Sequence, residues 1–315
     1  MALRRPLLLL PLLAMIGCTA MDQPGAPSPP LRFAAALGQA DTNAAAAIGR
    51  MDAFERLAHR ENAAIAFANG GRQAAEARVG PPPSGAAEAA GQVVTPAFAA
   101  LGDYARLLAA VAGAEPADPR PPNDGPSLVR ATEEGLRAVR GVAGVTVPAA
   151  VQRAGTEGIA ALTALAQRDA TRGHNVPALV AEAQPHVTAV AALVRAVIGT
   201  DADRGTRAAL RASREGLNRL HARFLASVAA DRRLGQAERY GLYRSVAELR
   251  EEDPAPGTFA GIVGVVDTME VAHAALASPG GEALAKLAAF EAAVGRLGAL
   301  TEASRRAEPG RPAPR

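Results

Sequence analysis

The sequence predicts an all-α fold, an elongated bundle of antiparallel amphipathic helices with an Ala-rich core and one long N-terminal helix. Three observations carry this. Apolar residues recur at helical and heptad spacing along most of the chain. No run of alternating apolar and polar residues joined by a tight turn, the mark of a β-hairpin, interrupts them. Stretches rich in Pro and Gly divide the rest into helix-length segments. Hydrophobic residues make up 49% of the 315 residues while aromatics make up 3%. Much of the apolar content is Ala, the best helix former but a poor source of buried area, so such a core depends on close helix approach and on length.

The N-terminus is organised differently. Arg4 and Arg5 precede a short apolar run over residues 6–16. A helix needs about 20 apolar residues to cross a bilayer, so this run is too short. A charged start, a short apolar stretch and small residues after it read as a secretory signal over residues 1–17. The run ends in Met15, Ile16, Gly17 and Cys18. This tetrapeptide resembles the lipobox of bacterial lipoproteins, with Met15 where Leu is usual. The resemblance covers the first eighteen residues and names a processing class rather than a fold. It implies cleavage before Cys18, lipid on the Cys18 sulfur and acylation of the new amine. Thr19 rather than Asp after the cysteine implies the outer membrane of a Gram-negative envelope, on its periplasmic side. Cleavage after Ala20 by a general signal peptidase is the competing reading and would release the chain from the membrane.

Cys18 is the only cysteine, so no intramolecular disulfide forms. Residues 18–30, with the run DQPGAPSPP, read as a lipidated cysteine and flexible tether. The bundle is expected over residues 31–306, with a possible subdomain boundary at the Pro-rich stretch 115–125, and residues 307–315 read as a disordered tail.

The first helix is expected over residues 31–79. Leu37, Ala44, Met51, Ala58 and Ile65 recur every seven residues, and Phe33, Ala40, Ala47, Phe54 and Ala68 form an offset series. Together they make a heptad seam, interrupted at Glu61. Gly80 and the three prolines after it end the segment. Thr95 and Pro96 then read as an N-cap and first turn, followed by Phe98, Leu101, Ala105 and Leu108 on one face. Ser127 reads as the cap of a helix to residue 145, and Pro148 opens another to about 172. A helix ending at Ile198 follows, with Pro185 as a kink. Asp201 reads as the cap of a helix carrying Leu210, Leu217 and Phe224, ended by Gly235. Helices over 236–251, 258–277 and 282–305 complete the chain, the last with Leu284, Leu287, Val294 and Leu297 on its apolar face.

Charge excludes one function class. Lys plus Arg number 34 against 31 Asp plus Glu, and the basic residues are dispersed along the sequence. The pI of about 9.6 reflects arginine outlasting the carboxylates at high pH. Nucleic-acid binding needs a basic patch with groove-reading or stacking elements, and none is expected here.

Candidate chemistry is sparse. Glu270 and His273 share one helix at i, i+3, the spacing of half a di-iron carboxylate site. No second copy occurs, and His273 falls on the apolar stripe Phe259, Ile262, Val266, Met269 and Leu276, where a hydrogen-bonded core histidine is the commoner outcome. Glu55 with His59, and Glu182 with His186, stand at i, i+4, a chelating spacing that is also a routine surface pair. Arg60, Glu61 and Asn62 break the heptad seam, as a contact site or as a polar layer fixing register. Arg223, Asp231, Arg232 and Arg233 read as a solvated charge run, and Glu251 to Asp253 as acids at a helix C-terminus. Ser127, Ser213, Ser227 and Ser245 lack a nucleophile elbow, and no phosphate loop occurs.

These readings favour a non-enzymatic, lipid-anchored scaffold of the cell envelope, partnered by an envelope protein or by itself, with no cofactor expected. The alternatives are a helical carrier of a metal, haem or small ligand, with Glu270 and His273 as its first candidates, and an envelope enzyme without a recognisable site.

Overall fold

The computed structural model describes residues 27–69, 84–113, 121–168, 175–249, 255–278 and 280–306. Among them the fold is all-α, with no strand. The helices are α1 (Pro29–Ala68), α2 (Ala86–Val111), α3 (Gly125–Ala143), α4 (Ala149–Ala166), α5 (Val176–Ile198), α6 (Gly205–Ala230), α7 (Gln236–Leu249), α8 (Ala255–Ala275) and α9 (Gly281–Arg306). No helix among the described residues is long and apolar enough to cross a membrane. The signal, Cys18, most of the tether, residues 114–120 and the tail lie outside the described residues.

Two layers build the bundle. The order α9, α1, α2, α3 forms one, and α8, α5, α4 forms the other. One hydrophobic cluster runs through both layers, including helices on either side of the Pro-rich stretch at 115–125. As far as Met51 the heptad seam of α1 faces this core. Leu37, Ala44, Met51, Ala58 and Ile65 are all buried, as are Phe33, Ala40 and Ala47. Pro29 and Pro30 open α1 where a missing N–H costs nothing. The helix ends at Ala68, not at 79. Asn69 is followed in the sequence by Gly70 and Gly71, and each glycine disfavours helix by about 1 kcal/mol.

α2 starts nine residues before Thr95, so Thr95 and Pro96 are not its cap. The cap comes from another helix. Both carboxylate oxygens of Glu55, on α1, accept backbone N–H bonds, from Ala86 at 2.9 Å and Ala87 at 2.8 Å. Pro96 therefore sits in mid-helix and removes the N–H that would bond the carbonyl of Gln92. Gly135 of α3 packs against that same stretch. A Cβ there would lie 2.7 Å from the Gln92 carbonyl carbon and 2.8 Å from its oxygen. Only glycine permits so close an approach.

Two other caps move by a few residues. Asp124 rather than Ser127 caps α3, accepting from the Ser127 N–H at 3.1 Å. Asp201 turns back onto the Asp203 N–H, and α6 begins at Gly205 after a turn that holds Gly199 and Gly205 at positive φ, 97° and 58°. Leu284 faces outward, 36% exposed, while Leu287, Val294 and Leu297 are buried.

α1 outruns the two layers. Its second half is accompanied by α6, which runs in the same direction: Met51 and Phe54 lie near Leu210, and Glu61 meets His221. Ala58, Ile65, Leu217 and Val228 are buried along this extension, apart from the main cluster. α7 lies on α6 through one stripe, with Val246 buried and Arg239, Leu242 and Leu249 half-buried. The end of α1, α6 and α7 together form an arm.

Candidate functional site

Two features carry side chains that packing alone does not explain. The first is a polar chain through the core. α8 carries His273 on its apolar stripe, fully buried. Its ring meets Phe33 of α1 at a centroid distance of 5.8 Å and Tyr104 of α2 at 5.4 Å, edge on. Nδ1 lies 2.7 Å from Oε1 of Gln184, and Nε2 lies 2.8 Å from the Tyr104 hydroxyl. A carboxamide oxygen only accepts, so the proton is on Nδ1 and Nε2 accepts from Tyr104. Gln184 then donates through Nε2 to Thr188 Oγ1 at 3.3 Å, and Thr188 donates to Glu270 at 2.8 Å. Arg195 closes the outer end, bonding Glu270 at 2.7 Å and Asp267 at 2.8 Å. Every donor from Tyr104 to Thr188 points outward, toward the Glu270 carboxylate.

Burial sets the protonation of this chain. It pushes His273 down to about 4, so the ring is neutral at pH 7. Burial, with Glu182 adding to it, raises the Tyr104 hydroxyl well above its ordinary value. The Tyr104 hydroxyl therefore stays protonated and is able to donate to His273.

Glu270 and His273 do share one helix, as their spacing implies, but they face different neighbours. Both ring nitrogens of His273 are engaged and Glu270 is held by Thr188 and Arg195, so neither has a free lone pair aimed at a shared point. Among the described residues no group of three or more His, Cys, Asp and Glu is placed to hold a metal. The chain works as a bolt between α2, α5 and α8.

The other candidate pairs separate in the same way. Glu55 caps α2 instead of meeting His59. Glu182 pairs with Arg168 at 2.8 Å rather than with His186. Within the polar break of the seam, Glu61 lies 3.4 Å from His221 Nε2, Asn62 bonds its own helix at the Ala58 carbonyl, and Arg60 is exposed. Of the three, Glu61 alone is seen to reach another helix, and α1 holds two further polar contacts that the heptad reading passes over. Asn43 donates to the Val294 carbonyl at 3.0 Å and Arg50 to that of Ser304 at 3.1 Å, both buried against α9. Glu251 to Asp253 lie outside the described residues.

The second feature is the arm. Residues 204–249 hold ten arginines against four acids, so the basic charge that looks dispersed over the whole chain is concentrated here. Arg211, Arg219, Arg223, Arg232, Arg233 and Arg244 are exposed. Tyr240 and Tyr243, on the outer face of α7, are 65% and 60% exposed. The third tyrosine, Tyr104, is the buried one. Two adjacent outward tyrosines among exposed arginines form the composition typical of a contact surface, since both side chains offer large area and polar tips. The sequence signal was the local ratio of Arg to acids, which whole-chain counting averages away.

No protein-family model, no curated protein and no solved structure matches this chain, so its fold and its site rest on the residues themselves.

Proposed function

We propose that this protein is a lipid-anchored, non-enzymatic interaction protein of the bacterial cell envelope. It is held through Cys18 on the periplasmic side of the outer membrane and grips an acidic envelope partner with its arm. The observation that carries this is the α6–α7 surface, where Tyr240 and Tyr243 stand outward among exposed arginines. Complementary charge steers association and fixes partner choice, while aromatic and Arg side chains supply the contact energy.

Position supports the same reading. The chain joins its tether at Pro29, and the arm meets α1 at Glu61. At 1.5 Å per residue that contact is roughly 50 Å along the helix from the anchored end. A binding face at the far end of a tethered rod suits a partner beyond the anchoring bilayer.

The test uses the full chain in its own membranes. Cys18→Ser should shift the protein out of the membrane fraction. Chemical cross-linking of the wild type, followed by mass spectrometry, should capture one acidic envelope protein. A variant carrying Arg232→Glu, Arg244→Glu, Tyr240→Ala and Tyr243→Ala should lose it while keeping its helicity. Capture that is unchanged by these substitutions would remove the arm from the proposal.

A further inference from the structure

Between α1, α2 and α3 lies an open groove of about 550 Å³. It exists because small residues meet there, Gly49 of α1, Gly91 of α2 and Ala131 of α3, with Ile48 and Pro96 beside them. A Cβ on Gly49 would meet nothing within 4 Å, so the groove is open above α1. Three carboxylates line it, Asp52, Glu88 and Glu134, and none of its described lining residues is Lys, Arg or His. Arg56 pairs with Asp52 at 2.7 Å. Glu88 and Glu134 make no ion pair among the described residues. The negative field reaches Glu55, the cap of α2. Burial raises its carboxyl above the ordinary value, and the like charges of Asp52 and Glu88 add to that, against the two N–H bonds it accepts.

The arm carries the complementary chemistry. Residues 219–249 hold six arginines and three acids. Each acid is already engaged, Asp231 by Arg233, Glu248 by Arg244, and Glu238 by the Gly235 N–H. Arg223 and Arg232 are exposed and make no ion pair among the described residues. Tyr240 and Tyr243, at i, i+3, share the outer face of α7. The arm does not cover the groove of its own chain. α6 and α7 lie along the side of α1 that carries Ala58 and Ile65. Gly49 stands nine residues from Ala58, about two and a half turns, and so on the opposite side of α1.

We propose that the arm of one copy seats in this groove on a second copy, its tyrosines on the Ile48–Pro96 floor and its arginines on Glu88 and Glu134. This rests on the reading of the arm as a contact surface and adds its regulation. The groove presents the same acidic chemistry as the partner, so copies gathered on one membrane hold each other's arms until the partner displaces them. Complementary charge favours this pairing over groove against groove or arm against arm. A contact between two unlike faces closes as a reciprocal pair or continues as a row.

Site-specific photocross-linking in the protein's own membranes tests this. Two differently tagged full-length copies are co-expressed with benzoylphenylalanine at position 243. Cross-links should join the two tags and map to the peptides of residues 88–96 or 131–134. Glu88→Arg with Glu134→Arg in every copy should cut the yield at least about tenfold, as should Arg223→Glu with Arg232→Glu. Co-expressing these two charge-reversed chains should restore it between them, since each reversed groove then meets a reversed arm. Gly49→Gln, whose side chain enters the open groove, should also cut it. Circular dichroism and Tm establish that each variant is folded. Cross-links to another protein with none between the tags would overturn this proposal and leave the arm's role standing; cross-links to neither would remove both. Cross-links between the tags that map elsewhere, survive reversal of the groove, or fail to return when the reversed chains are combined would each overturn the proposal.

Discussion

The Nδ1–H of His273 on α8 donates to Oε1 of Gln184 on α5 at 2.7 Å, across 89 residues of sequence. This bond fixes the tautomer that lets Nε2 accept from Tyr104, and so it ties three helices together at one buried ring. Protonating the ring would set two donors, the new Nε2–H and the Tyr104 hydroxyl, against each other in a site shielded from water.

Acid should therefore weaken the fold through His273. Its folded value is about 4, below the 6.5 of the unfolded chain. A depressed value means that the unfolded state binds the proton more readily. The stabilisation is complete above pH 6.5 and is lost as pH falls toward 4, a change on the order of 3 kcal/mol. Urea unfolding at pH 7 and pH 4.5 checks this. The wild type should lose stability steeply over that window, and His273→Gln, less stable at pH 7, should show a flatter profile. Parallel profiles would mean that other groups set the acid response.

Glycines give a prediction with two signs. Gly135→Ala should destabilise by about 1–3 kcal/mol, because the new Cβ meets the Gln92 backbone and neither helix can give way freely. Gly38 and Gly49, exposed on α1, would present a Cβ to open space. Alanine there should stabilise by about 0.5–1 kcal/mol through helix propensity. Thermal melts of the three single variants report the contrast.

Removing the cap that α1 supplies to α2 should be felt in both. Glu55→Ala strands the N–H groups of Ala86 and Ala87, a loss of about 1 kcal/mol, with up to about 2 in well-ordered cases. Glu55→Gln keeps one acceptor oxygen and should recover part of the loss. Hydrogen exchange at residues 86–90 should rise in the alanine variant ahead of exchange elsewhere in α2.

The two halves of α1 should fail differently. Met51 belongs to the main cluster, whereas Ile65 is buried in the arm. Met51→Asp places a charge in the core and should unfold the whole protein, a loss exceeding about 4 kcal/mol. Ile65→Asp should release α6 and α7 while exchange in α2, α5 and α8 stays slow. Equal loss of protection in both variants would mean that arm and bundle fold as one unit.

Much of the fold was legible because helical periodicity is a local property. The seam from Leu37 to Ile65 and the stripe from Phe259 to Leu276 each follow from residue spacing, and both are buried as spaced. Helix starts were legible where a proline marks them, as at Pro148, the residue immediately before α4. They were not where the cap comes from afar. Thr95 and Pro96 look like a helix start, yet Glu55 caps α2 nine residues earlier from a different helix. The candidate pair Glu270 and His273 was legible as a pair, but not its partners. Nothing in the spacing of Tyr104, Gln184, Thr188 and Arg195 announces that they meet.

The sequence by itself determined the helical class, the heptad face of α1, the segmentation by Pro and Gly, and the expectation of a lipid anchor at Cys18. These depend on periodicity, propensity and short motifs, which act over a few residues. Tertiary structure alone decided that His273 is bolted between Tyr104 and Gln184, that Asn43 and Arg50 bond the backbone of α9, and that α6 and α7 gather their arginines and tyrosines into one arm. Each of these joins residues far apart in the chain. Their meeting is set by how whole helices pack, and packing depends on every face of the bundle at once.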